Sequence, residues 1–175
     1  METSRLTMLS KDLFDVPSTI QVTSDAFENG GQMPDWTSEY SEHISPPLHW
    51  SGIPQSTKAV VLMMEDPEAH RLEPYEHWTM ILPAEIDDLP RGIHLGGVCQ
   101  EVPRAIQGVN GRGLSGYMGP KPPPGDKAHH YHFQVLALDV WPNPEPGWNR
   151  GDLIEHIEGH VIAKGDLVGV YQVPM

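Results

Sequence analysis

Apolar positions along this chain come in short runs broken by glycine and proline, and they alternate with polar ones more often than they recur at helical spacing. "STIQVTS", within residues 5–23, alternates like an edge strand. Residues 24–47 are polar and turn-rich, a long loop of the kind that lines a site or an interface. "KAVVLMMED" is apolar at consecutive positions, which places it centrally in a sheet with both faces covered. "HWTMILP" is the next strand, ended by Pro83, which has no N–H to give a ladder. Residues 84–128 carry only weak strand signals, around "GVCQEVP" and "AIQGVN". "HHYHFQVLALDV" is the longest clean strand, and "DLVGVYQV" closes the chain as another. One helix is predicted in "NRGDLIEHIEGHVIAKG": Leu153, Ile157 and Val161 recur every four residues, Asp152 stands near the start and Gly165 is the expected C-cap. The pattern predicts a mainly β protein with a short helix near the C-terminus.

The 175 residues are about the length of one ordinary domain, and a single domain over 1–175 is expected. Gly 17 and Pro 18 are spread among the apolar runs, which suits short strands and turns better than a helical bundle. The charge is one-sided, 24 acids against 11 bases. That excludes a basic face for nucleic acid or for an anionic membrane, so any bound anion must be held by a local pocket against the overall field. Cys99 is the only cysteine, so no internal disulfide can form. The N-terminal stretch is too polar for a signal peptide and no apolar run reaches spanning length, so a cytoplasmic protein without stable membrane insertion is expected.

Candidate chemistry lies at strand ends. The "VVLMMED" run stops at the acid-proline-acid corner Asp66-Pro67-Glu68, and the next strand opens at His77. Side chains alternate faces, so His129, Tyr131 and Phe133 share one side of their strand and His130, His132 and Gln134 the other. An imidazole and a phenol on one face can both donate to an oxyanion. "GYMGPKPPPGDKA" before them supplies stiff prolines and free backbone N–H groups. His130 and His132 read as a solvent-facing polar pair, and no metal ligand set or cofactor is assigned.

These segments resemble the phosphatidylethanolamine-binding protein family, also called Raf kinase inhibitor-like proteins, in its bacterial branch. The likeness runs through "DPEAH…EHW", "GYMGPKPPPGDKAHHYHFQVLALD", "ISPPLHWSGIPQSTKAVVLM" and "KGDLVGVY", in that family's order. It implies an antiparallel β-sandwich with short helices and a small pocket for phosphate, a phosphorylated head group or a carboxylate. Carried over by position, Asp66, His77, His129 and Tyr131 would meet the ligand, with Glu68 and Pro123 on the rim. Two positions depart from the family pattern: His70 stands where it usually has proline, and His130 where it has arginine. The resemblance also implies a homodimer, with the 24–47 loop, including Trp36 and Tyr40, as a candidate contributor.

A carboxylate beside an anion site needs a reason. Either Asp66 orients His77 or His129 as an imidazolium, or a carboxyl stays protonated; both predict tighter anion binding as pH falls through about 6 to 7. The leading expectation is a binding module, with modulation of a partner kinase or protease as a possible role. The alternative is a phosphate-ester hydrolase using His77 or His129 as general base. Catalysis lacks a recognisable nucleophile: no Gly-x-Ser-x-Gly elbow and no His-Glu-x-x-His run are present.

Overall fold

The computed structural model describes residue 7 and residues 14–175, and strands provide most of its regular structure. A six-stranded sheet runs in the order β2 (Gly31–Gln32), β9 (Val161–Tyr171), β8 (His129–Leu138), β4 (Ala59–Asp66), β5 (Tyr75–Pro83), β7 (Ile106–Gln107). A three-stranded sheet holds β1 (Gln21–Thr23), β3 (Leu48–Ser51) and β6 (Asp88–Leu89). Neighbours pair antiparallel except β2 with β9, which run parallel.

The doubly apolar pattern of β4 follows from its place at the middle of the large sheet. Val60, Leu62 and Met64 join Phe133, Val135 and Ala137 of β8 in a core shared with Val22, Leu48, Trp50 and Leu89 of the small sheet. Ala59, Val61 and Met63 point the other way, into a second core with Trp148 and with Leu153 and Ile157 of α1 (Arg150–Ile157). The architecture is therefore small sheet, large sheet, helix, stacked on two apolar layers.

The helix is shorter than its apolar spacing predicted. Asn149 caps it in a reciprocal box, its side chain accepting from the Asp152 N–H at 3.0 Å while Asp152 accepts from the Asn149 N–H at 3.0 Å. It stops at Ile157, and the chain turns at Gly159, where φ is +79°. Val161, predicted as a helical position, opens β9 instead, whose buried positions alternate with period two. Gly165, predicted as the C-cap, is a strand residue; a Cβ there would lie 2.1 Å from the Ile20 carbonyl oxygen, so its role is close approach of backbones.

Of the predicted edge strand within 5–23, the described part forms β1; residues 5, 6 and 8–13 lie outside the described residues, as does most of the polar N-terminal stretch. The 24–47 loop holds β2 and one 3-10 turn, Asp35–Thr37. It braces the later Gly/Pro loop: the Tyr40 hydroxyl donates to the Pro122 carbonyl at 2.8 Å and the Tyr117 hydroxyl to the Thr37 carbonyl at 2.8 Å. Gly119 fits only because it has no side chain, since a Cβ would meet the Thr37 carbonyl oxygen at 2.1 Å. In 84–128 "AIQGVN" holds β7 and "GVCQEVP" contributes an isolated bridge, Val98 to Ile106, while β6 at Asp88–Leu89 falls where no strand was signalled. Among the described residues no helix is long and apolar enough to cross a membrane.

Candidate functional site

Asp66, His129 and Tyr131 continue the face of the large sheet that packs on the small sheet. Tyr131 still belongs to the apolar core, and Asp66 and His129 stand at its end. A cavity of about 300 Å³ opens there, lined by Asp66, His77, Pro123, His129 and Tyr131. His77 reaches it through an irregularity in pairing. Met64 pairs with Trp78, but Glu65 pairs with Glu76 and Asp66 with Tyr75, so β5 carries one residue more than β4. Trp78 faces the small sheet, and strict alternation would turn His77 toward α1. The bulge places His77 on the cavity side instead.

His77 Nδ1–H donates to the Met118 carbonyl at 2.6 Å, and the Met118 N–H donates to the His77 carbonyl at 2.9 Å. Burial lowers the His77 pKa, outweighing the nearby Asp66 charge, so near neutrality the ring is uncharged and Nε2 carries a lone pair. Tyr131 packs edge-on to it, ring centroids 5.2 Å apart. Burial and the Asp66 charge raise the Tyr131 pKa, so its hydroxyl remains a donor. Neither His77 Nε2 nor the Tyr131 hydroxyl has a hydrogen-bond partner among the described residues.

Asp66 is fully committed. Oδ1 accepts from the N–H groups of Glu68, at 2.9 Å, and Ala69, at 3.2 Å, closing the corner that the Asp-Pro sequence predicts. Oδ2 accepts from His129 Nδ1–H at 2.7 Å. The other ring nitrogen of His129 donates to Asp126 Oδ2 at 3.0 Å, and His70 Nε2 reaches the same oxygen at 3.0 Å. Burial pulls the His129 pKa down, but the hydrogen bonds to Asp66 and Asp126 outweigh it and lift it to about 9. Hydrogen bonds from His129 and His70 hold the Asp126 carboxyl well below the usual carboxylate range. Of the two imidazoles considered for pairing with Asp66, His129 is the charged one.

Glu68 is not among the cavity-lining residues. It turns to the outer face, where its carboxylate accepts from the His130 N–H at 2.9 Å and pairs with His130 Nδ1 at 2.6 Å. His132 pairs separately with Asp166 at 2.9 Å. Several lining residues were not singled out in the sequence: Tyr75, Arg71 stacked over it at 4.4 Å, Arg112 paired with Glu39, and Lys121. Asp126 also escaped notice, although an acid three residues before His129 in the proline-rich loop was a readable signal. His70, Asp126 and His129 bring their ligand atoms within 4.8 Å of one another.

A stacked pair of sheets with an imidazole- and phenol-lined cavity at the edge of the apolar core is the architecture the sequence resemblance led us to expect. A family model for phosphatidylethanolamine-binding protein matches residues 23–172. A UPF0098 protein of Pyrococcus abyssi is 40% identical over 129 residues, 74% of this chain and 72% of that one. The structure of Escherichia coli YbcL, described as a member of the mammalian PEBP family, matches with a TM-score of 0.81 at 30% identity, covering 89% of this chain and 99% of that one. A phosphatidylethanolamine-binding protein homologue from Chlamydia trachomatis matches with a TM-score of 0.78 at 34% identity, covering 89% and 98%. The chain belongs to the phosphatidylethanolamine-binding protein family.

Proposed function

We propose that this protein holds a small oxyanion, a phosphate or a phosphorylated head group, in the cavity between His77 and Tyr131. The observation that carries this reading is the pair of unengaged groups there: a phenol that keeps its proton at physiological pH and can donate it in a hydrogen bond, and an imidazole Nε2 with a free lone pair. A phosphate monoanion matches both, its O–H donating to His77 Nε2 and a bare oxygen accepting from Tyr131. HPO4²⁻ keeps one O–H and can still donate to Nε2, whereas a phosphomonoester dianion has none and matches only when His77 carries the proton. Arg71, Arg112 and Lys121 line the same cavity and offset Asp66 and Glu39 in its field.

Holding fits better than turnover: among the described residues the cavity lining contains no serine, threonine or cysteine, and its carboxylates are engaged, Asp66 by His129 and Glu39 by Arg112. We take the working unit to be a single-domain cytoplasmic homodimer. If the protein modulates a partner kinase or protease, free phosphate should compete for the same cavity, which a pull-down with and without phosphate reads.

The deciding experiment is calorimetric titration of inorganic phosphate and of phosphoethanolamine, in chelator, from pH 5 to 8. His129 stays charged across that range, so one proton shared between ligand and His77 governs the profile. Phosphoethanolamine affinity should rise as pH falls below about 6.5, more steeply than that of inorganic phosphate, and Tyr131→Phe should weaken both by about tenfold or more, the loss expected for a hydrogen bond to a charged group. A flat phosphoethanolamine profile with Tyr131→Phe indistinguishable from wild type rejects the reading.

A further inference from the structure

We propose that His70, Asp126 and His129 form a binding site for one divalent transition-metal ion, best matched by Zn²⁺, at the mouth of the cavity. The three residues come from separate segments: the corner after β4, the proline-rich loop, and the first position of β8. Their ligand atoms already converge, with His70 Nε2 and His129 Nε2 each 3.0 Å from Asp126 Oδ2. Ligand atoms about 2.0–2.1 Å from a tetrahedral zinc are separated by about 3.3 Å; the two distances to Asp126 are already near that value, and the two imidazole nitrogens lie within 4.8 Å of each other, a gap that rotation of the exposed His70 side chain can close.

A second observation supports the assignment independently of this convergence. His129 Nδ1–H is tied to the buried Asp66 carboxylate at 2.7 Å, which fixes the ring and directs Nε2 outward. A carboxylate behind an imidazole with its far nitrogen presented is the arrangement that orients metal-ligating histidines. On binding, Nε2 of His129 gives up its proton and offers its lone pair to the ion, while the Nδ1 proton stays against Asp66. Two imidazoles and a carboxylate suit later first-row divalent metals over Mg²⁺ or Ca²⁺, which take oxygen ligands. Three protein ligands leave a coordination position open, and His70 and His129 both line the cavity, so that position is accessible to a small molecule.

The proposal stands apart from oxyanion binding, since its test uses metal alone. Untagged full-length protein, stripped with chelator and dialysed, is titrated with ZnCl₂ by calorimetry in a non-coordinating buffer without phosphate. One ion per chain is expected, with affinity falling at least tenfold in both His70→Ala and Asp126→Asn. His132→Ala and His160→Ala, which disrupt acid–imidazole pairs elsewhere, should leave it unchanged. Co²⁺ should give visible d–d absorption that is lost in His70→Ala, with circular dichroism and thermal melts confirming the fold of each variant. Absence of binding, or less than a tenfold loss in either ligand variant while the fold is intact, overturns the assignment. Phosphate binding measured in chelator fails or survives separately.

Discussion

Glu65 and Asp66 are neighbours on β4, both carboxylates and both buried, yet the sheet sends them to opposite faces and opposite uses. Glu65 points to the helix side, where Arg150 Nη1 donates to it at 2.6 Å and Gln134 Nε2 at 2.7 Å. Arg150 also donates to the Pro74 carbonyl at 2.7 Å, so this network ties the first residue of α1 to the end of the sheet. Asp66 points to the cavity side and spends its oxygens on a turn and on one histidine. A buried charge closed on all sides is architecture. A buried charge that presents its partner's far nitrogen to a cavity is the foundation of a site.

Removing the architectural carboxylate should have the larger effect on stability. Glu65→Ala removes the fully buried partner of the Arg150 guanidinium, leaving it Glu76 at 3.4 Å, and should cost about 3 kcal/mol, read by chemical denaturation. Replacing Glu65 and Arg150 together by methionine should recover most of that loss, because the desolvation of both charges disappears with the pair. Asp66→Asn keeps an acceptor for the turn but removes the charge on His129. A loss of about 1.5–3 kcal/mol is expected, and the His129 pKa, followed by NMR, should fall toward its ordinary value.

The same substitution sharpens the pH dependence. The folded pKa of His129 is raised, so its contribution is complete below the unfolded value of about 6.5 and is lost as pH rises through about 9. Wild-type metal-free protein should lose stability across that window, and Asp66→Asn should show a shallower slope. His77 works in reverse: its depressed pKa makes folding less favourable as pH falls below 6.5, a cost that phosphate should offset where it binds. The smallest effect belongs to Glu68→Ala. That half-exposed pair with His130 should cost under about 1 kcal/mol and leave phosphate affinity unchanged; a marked loss of affinity would return Glu68 to the site.

The central strands were legible because β4 and β5 are apolar at consecutive positions, the mark of strands covered on both faces, and the shared face of His129 and Tyr131 because β8 opens on a clear alternation; both are local properties. The turn at Asp66 was legible for the same reason. The end of α1 was not, because Leu153, Ile157 and Val161 keep one spacing across a helix stop and a strand start, and Gly159 was the true punctuation. The direction of Glu68, whose carboxylate turns to His130, was not legible, because nothing in an acid-proline-acid corner says which way the second acid turns once the first has closed the loop. His77 was found from its position at a strand start, but its route to the cavity depends on pairing register, which is a relation between two strands and is written in neither alone. The cluster of His70, Asp126 and His129 was hidden by sequence distance, the first two standing 56 positions apart.

The extra residue in β5 makes length itself part of the site's specification. Deleting one residue around Glu76 would let the two strands zip without a kink and swing the imidazole beneath the helix. Amino-acid composition and the apolar core would barely change. In relatives of this protein, a single-residue gap at that place would therefore separate those that turn this imidazole into the cavity from those that keep only the scaffold, even where every pocket residue still aligns.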